Sequence, residues 1–91
     1  MMQTISIKVS GKVQGVFYRQ STKEKALSLG IKGHVQNMPD GSVYIVATAE
    51  QDALVQLLQY CYKGPSGARV TNIETAVMEL QLFDGFVIIR K

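Results

Sequence analysis

Residues 31–48 read Ile31-Lys32-Gly33-His34-Val35-Gln36-Asn37-Met38-Pro39-Asp40-Gly41-Ser42-Val43-Tyr44-Ile45-Val46-Ala47-Thr48, and this stretch decides the fold. Two β-rich runs, 31–38 and 42–48, flank Pro39-Asp40-Gly41. Proline presets φ at the first turn position, aspartate tolerates the second, and glycine supplies a left-handed third. That is the chemistry of a three-residue hairpin loop closed by a G1 bulge. With Met38 opposite Ser42, Asn37 faces Val43, Gln36 faces Tyr44, Val35 faces Ile45 and His34 faces Val46. Val35, Asn37, Val43 and Ile45 then share the core side. A two-residue loop would shift the register by one and mix the faces.

On the C-terminal side of the hairpin, Thr48 and Gln51 have capping-box spacing, and Glu50 and Asp52 suit the positive end of a helix. Leu54, Leu57, Leu58 and Cys61 follow the i, i+3, i+4, i+7 pattern of one helical face. Gly64-Pro65 stops that helix. Residues 68–78 read as a strand in which Val70 and Ile73 break the alternation, which predicts a bulge. Phe86–Ile89 reads as a last short strand after Asp84-Gly85.

On the N-terminal side, residues 20–29 read as a helix, with Ser21 and Glu24 at capping-box spacing, Thr22, Ala26 and Leu29 on one face, and Gly30 as C-terminal cap. Before it, Gln3–Val9 alternates: Ile5, Ile7 and Val9 on one side, Thr4, Ser6 and Lys8 on the other. The order is β-α-β-β-α-β with an additional terminal strand. This predicts an α+β, ferredoxin-like βαββαβ sandwich: an antiparallel sheet of core order 4-1-3-2, two helices on one face, and a short extra C-terminal strand. Residues 1–91 are expected to form a single domain.

Composition narrows the function classes. With 46% hydrophobic and 19% charged residues the chain reads as globular. No apolar run approaches the ~20 residues of a membrane span, and Met1–Ile7 lacks a basic start and a long apolar core, so a cytoplasmic protein without membrane attachment is expected. The single cysteine, Cys61, has no internal disulfide partner, and no Cys/His pair has zinc-ligand spacing. Neither metal nor cofactor is expected. The net charge of +3 favours anionic partners, but Lys8, Lys12, Lys23, Lys25, Lys32, Lys63 and Lys91 are scattered, which speaks for a small anion over nucleic acid.

The candidate chemistry lies in Gly11-Lys12-Val13-Gln14-Gly15-Val16-Phe17-Tyr18-Arg19, between the first strand and the first helix. Glycine permits positive φ and close backbone approach, a helix start offers unpaired N–H groups, and arginine adds a fixed fork of donors. Lys-Ser/Thr does not follow the glycines, and the spacing is not G-x-G-x-x-G, so ATP and dinucleotides are disfavoured. Alone, such a loop is as compatible with a plain turn as with an anion cradle. The topology adds Asn37: parallel first and second strands bring the end of the second to the same sheet edge as Arg19. An amide there both donates and accepts. Standing alone, Asn37 reads first as a residue that stabilises the neighbouring turn.

These residues resemble the acylphosphatase family over essentially the whole chain. The family's Gly-x-Val-Gln-Gly-Val-x-Phe/Tyr-Arg stands as Gly11, Val13, Gln14, Gly15, Val16, Tyr18 and Arg19. Its Gly-aromatic-Val-x-Asn-x-x-Asp-Gly-x-Val stands as Gly33, Val35, Asn37, Asp40, Gly41 and Val43, and Lys63-Gly64-Pro65 with Ala68 and Val70 also fits. The resemblance implies hydrolysis of acyl phosphates to carboxylate and inorganic phosphate. It implies Arg19 and the backbone amides of Gln14, Gly15, Val16, Phe17, Tyr18 and Arg19 as the phosphate cradle, and Asn37 as the residue that orients the attacking water. His34, Gln36, Tyr44, Ala49 and Tyr60 depart from the residues common in the family, at positions with no implied catalytic role. Their expected effect is on stability or on the helix-free face.

A metal-independent, monomeric enzyme acting on a small acyl phosphate is therefore expected, with inorganic phosphate as product and competitive inhibitor. Two rival classes share the fold. A nucleic-acid or protein-binding module would show stacking aromatics in an RNP1-like strand, and none is visible. A domain of a larger carbamoyl-transfer protein would bring further domains, so a free-standing enzyme is expected. Cys61 reads as a small core hydrophobe. His34, Tyr44 and Val46 read as a semi-exposed patch on the open sheet face.

Overall fold

A computed structural model describes residues 1–90, and in it the 39–41 turn has the geometry its residues dictate. The Gly41 N–H donates to the Met38 carbonyl at 3.1 Å and the Met38 N–H to the Ser42 carbonyl at 2.9 Å, with Gly41 at φ 92°. Asp40 Oδ1 accepts from the Ser42 backbone N–H at 2.9 Å and its hydroxyl at 2.6 Å, while Oδ2 pairs with Lys8 Nζ at 3.0 Å. The register follows: Asn37 opposite Val43, Val35 opposite Ile45, His34 opposite Val46, as the three-residue loop requires.

The strands are β1 (Met2–Lys12), β2 (Lys32–Asn37), β3 (Val43–Glu50), β4 (Arg69–Met78) and β5 (Phe86–Ile89); the helices are α1 (Tyr18–Ser28) and α2 (Gln51–Lys63). The sheet order is β4-β1-β3-β2-β5. The four-stranded core is antiparallel, as expected, but β5 joins the outer edge of β2 in parallel, so the sheet as a whole is mixed. Ile7, Val9, Val35, Val43, Ile45 and Ala47 form one fully buried sheet face, which packs against Tyr18 and Ala26 of α1 and Leu54, Leu57 and Cys61 of α2. Among the described residues no helix is long and apolar enough to cross a membrane.

Both capping boxes read from the sequence are absent. Helix α1 starts three residues earlier than Ser21, whose hydroxyl meets the Tyr60 hydroxyl between the helices instead. β3 runs on through Thr48 to Glu50, which is the N-cap of α2 without a side-chain cap bond. Spacing alone cannot tell a cap from two residues that tertiary contacts claim. The other end of α1 is as the glycine predicts: Gly30, at φ 71°, donates to the Leu27 carbonyl at 3.2 Å, and Ile31 N–H to Ala26 at 2.9 Å. These are the two bonds of a Schellman motif.

The expected bulge lies between Ser10 opposite Asn72 and Gly11 opposite Val70, which leaves Thr71 as the extra residue. Here Gly11 finds its use. At φ 123°, an added Cβ would stand 2.1 Å from the Arg69 carbonyl oxygen. Gly11 therefore serves the β1–β4 ladder rather than an anion cradle.

On the helix-free face His34 and Tyr44 are half-buried, as expected, and Val46 alone of that patch is buried. Residues 79–85 cross this face as a strap. Thr4 and Thr48 share a hydroxyl hydrogen bond of 2.6 Å; the Gln81 N–H donates to Thr4 at 2.9 Å, and Thr48 donates to the Gln81 carbonyl at 2.7 Å. Phe83 meets the His34 ring edge-on at a centroid distance of 5.4 Å, and Val46 is only 3% exposed. Burial lowers the His34 pKa and leaves its Nδ1 without a partner, and the ring lies against Phe83 on the face away from the helices.

Candidate active site

β1 and β2 run in the same direction on either side of β3, so the chain segment leaving β1 and the end of β2 lie at one edge of the sheet. Between β1 and α1 the chain crosses that edge in the loop 13–17. Gln14 ties it to the hairpin, with Nε2 donating to the carbonyls of Met38 and Ser42 at 2.9 Å each. Tyr18, 1% exposed, anchors its far end by donating its hydroxyl to the Cys61 carbonyl at 2.5 Å. The loop is thus held from two sides of the molecule.

Between these anchors the backbone is strained. Phe17 occupies the left-handed region, φ 64° and ψ 23°, as the N-cap of α1, and is the only non-glycine residue with positive φ among the described residues. For a bulky side chain that conformation costs about 1–2 kcal/mol. Its ring gives nothing back in packing, being 84% exposed. Strain of this kind persists where the surroundings impose it, and it clusters at functional sites.

The loop ends at unpaired donors. Among the described residues the N–H groups of Gly15, Val16 and Phe17 reach no protein acceptor. Those of Tyr18, Arg19 and Gln20 are the first three of α1, which no intrahelical carbonyl can satisfy. Together with the helix dipole, such a run of free N–H groups favours an anion. Arg19, the second residue of the helix, places a guanidinium beside them.

A cavity of about 320 Å³ opens at this point, lined by Val13, Gly15, Phe17, Tyr18, Arg19, Gln20, Asn37, Ile88 and Arg90. Arg19 and Asn37 therefore meet in one cavity. Of the predicted loop residues, Gly15, Phe17 and Tyr18 line it with Arg19, whereas Gln14 and Val16 do not. Gln14 spends its amide on the hairpin, and Val16 packs against the core and next to Gly67. Asn37 Oδ1 is buried and has no hydrogen-bond partner. A buried amide oxygen left orphaned costs about 1–3 kcal/mol unless something fills its place.

Among the described residues no carboxylate, imidazole or thiol lines the cavity. Burial raises the Tyr18 phenol far above its ordinary value, and burial pushes the Cys61 thiol, in the core behind, up to about 12. The site offers donors, a fixed positive charge and one amide. Among the described residues it offers no carboxylate or imidazole to move a proton.

Sequence reasoning missed Ile88 and Arg90. The signal was the terminal strand itself, whose partner was left unassigned. Parallel pairing of β5 with β2 carries Ile88 alongside Val35 and Ile89 alongside Gln36, and so brings Ile88 and Arg90 to the cavity.

A sequence model of the acylphosphatase family matches residues 5–88. The acylphosphatase of Methylococcus capsulatus is 40% identical over 90 residues, covering 98% of this chain and 98% of that one. That of Rubrobacter xylanophilus is 47% identical over 70 residues, covering 77% of this chain and 64% of its own length. Among solved structures, an acylphosphatase from Coxiella burnetii superposes with a TM-score of 0.93 at 35% identity, over 97% of this chain and 93% of that one.

Proposed function

The chain belongs to the acylphosphatase family, and from that premise we propose how its residues divide the work. Its reaction is the hydrolysis of the carboxyl–phosphate bond of acyl phosphates to a carboxylate and inorganic phosphate. Arg19 and the backbone N–H groups between Gln14 and Arg19 hold the phosphate, and Asn37 orients the attacking water. The single observation that carries this division is the orphaned, buried Asn37 Oδ1 in the same cavity as the Arg19 guanidinium and the open start of α1.

The chemistry asks for little more. The water oxygen bonds to phosphorus as the P–O bond to the acyl group breaks, and the electron pair leaves with a carboxylate. A carboxylate departs without a strong general acid. Charge spreads over the equatorial phosphoryl oxygens in the transition state, where a guanidinium fork and fixed amide dipoles stabilise it. The water's proton passes to a phosphate oxygen or to solvent, in keeping with a cavity that has no titrating base. We further propose a metal-independent, monomeric, cytoplasmic enzyme of one domain, inhibited competitively by inorganic phosphate. The support is the leaving-group chemistry, the lone buried Cys61 and the self-contained core.

Assayed on benzoyl phosphate in the presence of a chelator, the wild-type enzyme should be fully active, with inorganic phosphate as a competitive inhibitor. Arg19→Ala should lower kcat by at least ~10²-fold, and Arg19→Lys should not restore it, because a point charge lacks the fork. Near-normal turnover in either variant, or a requirement for added metal, overturns the reading.

A further inference from the structure

Phe17 combines two features that nothing in the fold explains. It is a bulky residue held at φ 64° and ψ 23°, and its ring is 84% exposed. An N-cap residue ordinarily lies in the β region, so the left-handed backbone redirects the Cα–Cβ bond at this position. Glycine or asparagine would take the same conformation with less strain. No packing offsets that strain, because Phe17 belongs neither to the buried core nor to the partly buried residues around it. Phosphate binding does not explain the ring either. Position 17 gives the loop a backbone N–H, which any residue except proline would supply.

The ring does line the cavity. At about 320 Å³ the cavity lies at the lower end of the range of small-molecule sites, and it is larger than one phosphate needs. The remaining space falls to the acyl portion of the substrate. Of the other apolar residues at the cavity, Val13 and Tyr18 are 1% exposed and committed to the core, and Ile88 is half-buried against it. Among the described residues, Phe17 is therefore the lining group with the most apolar surface still to cover. Gln14, bonded to the hairpin, and Tyr18, bonded to the Cys61 carbonyl, hold the loop on both sides of it. The backbone that carries the ring is thus fixed before a ligand arrives, which lowers the cost of ordering on binding.

We infer that the Phe17 ring is a specificity-determining contact for the acyl group, favouring acyl phosphates with an aromatic or bulky apolar body over those of acetyl size. This rests on the placement of the phosphate at Arg19 proposed above. A bulky acyl group covers the ring and part of its own surface from water, and an aromatic one adds ring-to-ring attraction in offset or edge-on geometry. A small acyl group leaves the ring in solvent.

The test compares benzoyl phosphate with acetyl phosphate. The difference in leaving-group strength between them cancels when wild type and variant are compared. Phe17→Asn removes the ring and keeps a residue that enters the left-handed region readily. It should lower the benzoyl-to-acetyl ratio of kcat/KM by about fivefold, the order of one aromatic contact. Phe17→Tyr should preserve the ratio, and Phe17→Leu should keep part of it. A thermal melt of Phe17→Asn should give a melting temperature at or above the wild-type value, because strain is relieved and no packing is lost. A ratio unchanged by Phe17→Asn overturns the inference. Equal losses on both substrates with weaker inhibition by inorganic phosphate also overturn it, because position 17 would then act through the backbone of the phosphate loop. A lower melting temperature overturns it as well, by showing that the ring is packed in the free protein. Failure of the underlying phosphate placement shows separately, as Arg19→Ala retaining hydrolysis of both substrates.

Discussion

Two polar clusters lie at neighbouring corners of this sheet and have opposite characters. In the 39–42 turn the side chains and carbonyls are tied to one another: Asp40 accepts two bonds from Ser42 and one from Lys8, and the carbonyls of Met38 and Ser42 each take an N–H of Gln14. In the cavity, the loop amides, the Arg19 guanidinium and the buried Asn37 oxygen have no partner among the described residues. Gln14 joins the two, fastening the open cluster to the closed one. The difference teaches where stability ends and function begins. Matched polar groups hold the backbone still, and unmatched ones, held still, wait for a ligand.

Substitutions should separate the two clusters by which quantity they move. Beyond the Arg19 variants, Asn37→Ala should have the largest effect, lowering kcat by ~10²-fold through lost positioning of the water. Its melting temperature should hold or rise, since Oδ1 has no bond to lose and is buried without a partner. Steady-state kinetics beside a thermal melt would check both halves. A pure rise in KM would make Asn37 a binding residue instead, and the contrast between the clusters would lose its catalytic half.

Thr48→Val probes a matched network of the same kind on the far face. The isosteric change removes the hydroxyl shared by Thr4 and the Gln81 carbonyl. It should cost about 1–2 kcal/mol of stability with kcat unaltered. Chemical denaturation would measure it; an unchanged stability would mean that the strap contributes nothing at this point.

The smallest effect belongs to Asp40→Asn. Hydrogen bonds from the Ser42 hydroxyl and backbone N–H, and then the Lys8 ammonium, hold the Asp40 carboxyl well below its ordinary value. A depressed carboxylate adds stability that is present above its unfolded pKa of ~3.9 and is lost as pH falls through the lower folded value. The wild type should therefore melt slightly higher than the variant at pH 7. That gap should close as the pH is lowered below ~4. Asp40 is exposed, and a gap that persists in acid would assign the effect to backbone geometry rather than to charge.

The particular residues show why some of this was legible in the sequence and some was not. The hairpin register followed from Pro39-Asp40-Gly41, and the face of α2 from Leu54, Leu57 and Cys61, because turns and helix faces are local patterns. Arg19 and Asn37 could be brought to one edge because strand order constrains which ends are neighbours. Phe17 gave no sign of its left-handed backbone, a conformation more often taken by glycine or asparagine, since the loop's two anchors impose it from outside. The strap over Thr4 and Thr48 has no periodicity to read. Arg90 reaches the cavity only through the parallel pairing of β5, which joins residues 33–36 to 86–89 across half the chain.

The central claim is that the open cluster is a phosphate site. A titration of ¹⁵N-labelled protein with inorganic phosphate, followed by amide and side-chain NMR shifts, tests it most directly. The largest changes are predicted at the N–H groups of Gly15–Gln20, the Arg19 side chain and the Asn37 side-chain amide. Ser42 and Gln81 should stay fixed. Shifts centred on the 39–42 turn or the strap, or none at the start of α1, would contradict the account.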